Sequence, residues 1–95
     1  MLGIKRRITK IMGEKAKEKE IEKSELNRQL VLKKIVDRRK ELGLTQWDIS
    51  EQLNLTYSGY FKVETGKTKL DVYRLFEILD TLNITPKEFF EDFEQ

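Results

Sequence analysis

The chain has 95 residues, room for a single domain with one modest core. It contains no cysteine and no histidine, which removes thiol nucleophiles, disulfides, imidazole bases and the usual zinc ligands; no enzymatic activity, metal or cofactor is expected. The net charge of +2 divides into +4 over residues 1–30, +3 over 31–69 and −5 over 70–95, a polarity that suits a basic face for a polyanion but that a well-solvated surface explains equally well.

Residues 1–29 form a charged extension. Ile4, Ile8 and Ile11 are spaced as a helical stripe, residues 13–20 hold no apolar side chain except Ala16, and Ile21 and Leu26 follow. That is too thin for a core of its own and reads as a helical extension or a tether. The basic, amphipathic stretch Leu2 to Met12 could lie along DNA, join a dimer or rest on a membrane surface; a dimer contact or helical extension is preferred, then an unstructured tail, and membrane binding a distant third. It lacks the uninterrupted apolar stretch and cleavage site of a secretory signal, and no apolar run reaches bilayer length, so a cytoplasmic protein without a membrane partner is expected.

From residue 30 onward the spacing is helical. Val31, Ile35 and Leu42, with Leu32 and Val36 beside them, mark one helix face that Gly43 terminates. Thr45 is a good N-cap, with Asp48 three residues on, and Ile49 and Leu53 give a short second helix its inward face. Asn54 and Leu55 make the break, Thr56 caps again, and Tyr60 and Val63 point a third short helix inward before Glu64, Thr65 and Gly66 close it. Asp71 starts a fourth helix, whose stripe of Val72, Leu75, Phe76, Leu79 and Leu82 is expected to be largely buried. Thr85-Pro86-Lys87-Glu88 then combines an N-cap, a proline at the first helical position and a glutamate at the third, ahead of Phe89, Phe90 and Phe93.

Five short helices with short connections describe a small all-α bundle. The run from Leu44-Thr45-Gln46 to Leu53, a three-residue turn, a helix to Val63 and then Glu64-Thr65-Gly66-Lys67 closely resembles the DNA-binding domain of the Xre/Cro family of bacterial and phage repressors. The resemblance spans roughly Leu30 to Phe90 without a gap and implies a five-helix, repressor-like domain over residues 30–95.

The resemblance also implies roles. Arg39 and Glu64, which on charge alone read as solvated surface groups, occupy the places of a partly buried salt bridge. Gln46 matches a phosphate contact. Tyr57, Ser58 and Lys62 match the positions that reach base edges, and Lys67, Thr68 and Lys69 match a loop along the DNA backbone, although an ordinary polar loop fits them too. Independently, helix starts such as Thr45-Gln46 and Thr56-Tyr57 favour phosphate oxygens, and a helix enters the major groove by its N-terminal end.

Four residues depart from the family pattern, one of them Leu70, which stands where many relatives have proline and is expected to change only the loop locally. Gly59 lies within the recognition helix, where it costs roughly 0.5–1 kcal/mol against alanine. Phe61 faces outward and suits either thymine methyl groups or a protein partner. Trp47 replaces a polar residue, and packing against a neighbouring helix is the favoured reading. The expected function is sequence-specific binding of double-stranded DNA by a homodimer that regulates transcription. The alternatives are the antitoxin of a toxin–antitoxin pair, with a toxin or an anti-repressor as protein partner, and a helix-turn-helix kept only for protein interaction.

Overall fold

A computed structural model describes residues 5–8 and 19–93, and the chain divides into two compact units, Met1–Leu30 and Val31–Gln95. In the first unit, β1 (Lys5–Ile8) and β2 (Lys19–Glu22) pair antiparallel. The register sets Lys5 opposite Glu22 and Arg7 opposite Glu20. The expected helical character of the extension therefore gives way to extended backbone at Lys5–Ile8 and Lys19–Glu22, while Ile4 and Ile11 lie outside the described residues. Helical structure begins with α1 (Lys23–Glu41), eight residues ahead of the apolar stripe that starts at Val31.

The second unit is built from the remainder of α1, α2 (Gln46–Gln52), α3 (Tyr57–Glu64), α4 (Val72–Thr81) and α5 (Pro86–Phe89). Helix starts follow the capping residues: the side chains of Thr45, Thr56, Asp71 and Thr85 accept from the backbone N–H groups of Asp48, Gly59, Arg74 and Glu88. Asp48 and Glu88 reciprocate, completing two capping boxes. Gly43, at φ 72°, turns the chain out of α1 in a conformation that other residues adopt only with strain.

The core consists of Ile35, Ile49, Tyr60, Val63, Ile78, Leu79, Leu82 and Phe89, all buried. Each full burial of such a side chain contributes about 1.5–3 kcal/mol. Leu44, Leu53, Leu55, Leu70, Leu75 and Ile84 pack around this centre. The α1 helix is also tied to the end of α4, where Arg38 donates from Nε to the Leu82 carbonyl and from Nη2 to the Asn83 carbonyl, both at 3.0 Å.

Three expected core positions are on the surface. Along α4 the inward face is Leu75, Ile78, Leu79 and Leu82, whereas Val72 is 64% exposed and Phe76 50% exposed. Val72 and Phe76 stand one turn apart and share their flank with Tyr73, which is 83% exposed. A helix of period 3.6 cannot bury both flanks against one core. Leu42, beyond the last turn of α1, is exposed as well.

Candidate nucleic-acid interface

The connection between α2 and α3 is short and rigid. Leu53 caps α2, Asn54 takes a left-handed conformation at φ 60°, and the Leu55 N–H returns to the Ser50 carbonyl at 2.8 Å. Asparagine tolerates this backbone better than most residues, which explains its place in the turn. With Ile49 and Tyr60 fully buried, one from each helix, the outward side of α3 is fixed as Tyr57, Ser58, Phe61 and Lys62, all exposed.

Behind α3 lies a buried polar network. Arg39 grips Glu64 in a bidentate pair, Nε to Oε2 at 2.7 Å and Nη2 to Oε1 at 3.1 Å, and its remaining nitrogen reaches the Leu44 carbonyl at 2.9 Å. Glu64 also accepts from Gln46 Nε2 and from the Tyr60 hydroxyl, each at 2.8 Å. Burial alone pushes the Glu64 carboxyl up, but hydrogen bonds from Arg39, Gln46 and Tyr60 outweigh it and hold the group below its ordinary range. The same bond to Glu64 raises the Arg39 guanidinium, and burial followed by the bond to Glu64 raises the Tyr60 hydroxyl. No buried side-chain nitrogen or oxygen among the described residues lacks a partner.

This network reaches the exposed face of α3 through Gln46. Its amide nitrogen is bound to Glu64, and its amide oxygen accepts from the Tyr57 hydroxyl at 2.9 Å. Gln46 is thus half-buried and occupied at both ends, positioned to orient Tyr57. The hydroxyls of Thr45 and Thr56 are engaged in their caps. By contrast, Ser58, Lys62, Lys67, Thr68 and Lys69 are exposed, and their side chains make no hydrogen bond or ion pair among the described residues. The loop is held against α3 by the Lys67 and Thr68 N–H groups, which reach the Lys62 carbonyl at 2.8 and 3.1 Å.

Two apolar features flank these cations. Tyr57 and Phe61, four residues apart, stack with ring centroids 6.3 Å apart, as that spacing on a helix permits. Trp47 is 54% exposed, so the favoured packing under a neighbouring helix is replaced by a largely open indole on α2. Gly59 falls in the first turn of α3, where its N–H donates to the Thr56 hydroxyl at 2.9 Å and an added Cβ would stand 3.1 Å from that oxygen. Among the described residues there is no helix long and apolar enough to cross a membrane and no cluster of three metal-ligating acids.

Two short helices joined by a tight turn, with the second presenting an exposed face over a buried ion pair, define a helix-turn-helix domain of the DNA-binding class. A helix-turn-helix family model matches residues 35–89, more than half of the chain. The chain belongs to the Cro/C1-type, Xre-like helix-turn-helix family, and is a DNA-binding helix-turn-helix protein of the regulatory kind. No curated protein and no solved structure matches it.

Proposed function

We propose that the protein is a sequence-specific transcriptional regulator that inserts α3 into the major groove of double-stranded DNA and works as a homodimer on a two-fold site. The observation that carries this reading is the charge of the segment from Leu53 to Leu70. Its only acidic residue is Glu64, and that charge is buried and consumed by Arg39. Lys62, Lys67 and Lys69 therefore meet solvent with no competing anion on the same segment, as phosphate contact requires.

Within the interface the roles divide. Ser58 and Lys62 are the groups free to bond base edges, Tyr57 and Phe61 offer a stacked apolar face to thymine methyl groups, and Lys67 to Lys69 follow the backbone. Thr45 and Thr56 present their helix starts to phosphate, and Gln46 orients Tyr57 from behind. A single reader of this size has limited specificity, which favours two copies on one site.

Selection of bound sites from random duplex DNA, with stoichiometry measured on the selected site, tests the reading. It is supported by an enriched, two-fold symmetric sequence. Binding that shows neither sequence preference nor salt dependence rejects it. The open Trp47 indole and the Phe61 ring favour one second reading, in which this same face holds a protein; Trp47→Ala then abolishes partner capture and leaves DNA affinity intact.

A further inference from the structure

The buried Glu64 carboxylate dictates the polarity of a hydrogen bond on the outer face of α3. A carboxylate only accepts, so the Gln46 amide that meets it turns its nitrogen inward, Nε2 to Oε1 at 2.8 Å. The Gln46 amide oxygen is left toward α3, where it lies 2.9 Å from the Tyr57 hydroxyl. An amide oxygen also only accepts, so Tyr57 commits its one hydroxyl proton to Gln46. Phe61, one helical turn further on, has no polar side-chain atom. The two rings stack at 27° with centroids 6.3 Å apart, and they remain 45% and 38% exposed.

What such a pair of rings recognises in a major groove is narrow. Thymine O4, guanine O6 and the purine N7 atoms all accept, and they need a donor that neither ring side chain has to spare. The Tyr57 oxygen still accepts, which suits the amino groups of adenine and cytosine. The apolar feature of the groove is the C5 methyl group of thymine, and 5-methylcytosine carries the same methyl at the same ring position. An A·T pair and a methylated C·G pair therefore each present an amino group and a C5 methyl on the groove edge. An unmethylated C·G pair presents the amino group without the methyl.

We propose that Tyr57 and Phe61 read C5 methyl groups as such, so that the protein takes thymine or 5-methylcytosine beneath α3 and binds more tightly when a cytosine of its site is methylated. The inference rests on the reading of α3 as the helix in the groove, and it adds the chemistry selected there and a covalent mark on DNA to which the protein responds. A methyl group adds no charge, so the response is separate from the salt-dependent grip of Lys67 and Lys69. Burying one such group against a ring changes affinity about four-fold.

The test uses the full chain and the duplex selected from random DNA, remade with deoxyuridine in place of thymidine at one position at a time. At the positions that respond, cytosine and 5-methylcytosine, each paired with guanine, are then compared, with affinities read by fluorescence titration at fixed salt. Loss of the methyl group is expected to weaken binding about four-fold at positions under α3, and 5-methylcytosine to exceed cytosine there by a similar factor. Tyr57→Ala and Phe61→Ala, both at exposed positions, each remove the difference at their own position with unchanged helical circular dichroism. Lys67→Ala lowers the affinity for thymine and uracil duplexes alike and leaves their ratio intact. Equal binding of thymine and uracil duplexes at every position, a selected site without thymine, or a ratio that survives both ring substitutions overturns the inference while DNA reading by α3 stands. Failure to select any duplex sequence overturns both.

Discussion

Arg39 and Glu64, 25 residues apart in sequence, meet through two bonds of 2.7 and 3.1 Å with side chains only 10% and 2% exposed. The pair joins the end of α1 to the end of α3, so α3 is anchored at the end away from its cap. A buried pair owes its value to completeness: each Glu64 oxygen takes a second donor, Gln46 at Oε1 and Tyr60 at Oε2, and removing one partner strands a charge. Arg39→Leu is accordingly expected to cost about 3–5 kcal/mol of folding stability. Urea denaturation followed by helical circular dichroism measures it, and a loss below about 1 kcal/mol would place the pair among weak surface bridges.

The same carboxylate sets the acid limit of the fold. Glu64 is held below its ordinary value of 4.5, so its contribution to stability is present above that value and is lost as pH falls through the lower folded-state value. Asp48, held down by the Thr45 backbone and hydroxyl, and Asp92, held down by Lys34, shift in the same direction. With no histidine in the chain, no ordinary side chain titrates between about pH 5 and 8. Stability is therefore expected to stay level from neutral pH to about the ordinary carboxylate range and to fall below it. Glu64→Gln removes a large part of that fall, and an unchanged acid profile in this variant would assign it to other groups.

Base reading and backbone binding separate by their dependence on salt. Lys62→Ala is expected to cost about 1–3 kcal/mol on a selected site and to relax preference at one position. Lys67→Ala instead weakens all sequences alike and lowers the slope of log K against log salt by about 0.9. Fluorescence titration of both variants over a series of salt concentrations distinguishes the roles. Equal effects of Lys62→Ala on selected and random DNA would move Lys62 from the bases to the phosphates.

Helix starts were legible because each rests on one local bond: Thr45, Thr56, Asp71 and Thr85 all cap as their neighbours require. The family spacing located Arg39 and Glu64, but not the reach of Gln46 to Tyr57, because that bond depends on the angle between α2 and α3. On α4 the sequence offers apolar residues on both flanks, and only the packing decides that Ile78 turns inward and Phe76 outward. The β1–β2 pairing was hidden by its brevity: four residues per strand, half of them matched by charge across the ladder, leave no apolar alternation to read.

Gly59 is the residue whose cost in α3 most needed an explanation, and its neighbour Thr56 supplies one. Replacing glycine by alanine in a helix gains roughly 0.5–1 kcal/mol from propensity alone. Here the new Cβ stands 3.1 Å from the Thr56 hydroxyl oxygen, which must shift away from the 2.9 Å bond it accepts from the Gly59 N–H. Loss of such a cap costs about 1 kcal/mol, so Gly59→Ala is expected to be close to neutral. In a Thr56→Ala background the clash and the cap are both absent, and the same substitution gains its full propensity. A double-mutant cycle by urea denaturation reads the difference as a coupling of at least about 0.5 kcal/mol between the two positions. Additive effects would mean that the cap tolerates a side chain at 59. The glycine would then serve the approach of α3 to its ligand, and Gly59→Ala would weaken DNA binding while leaving the fold unchanged.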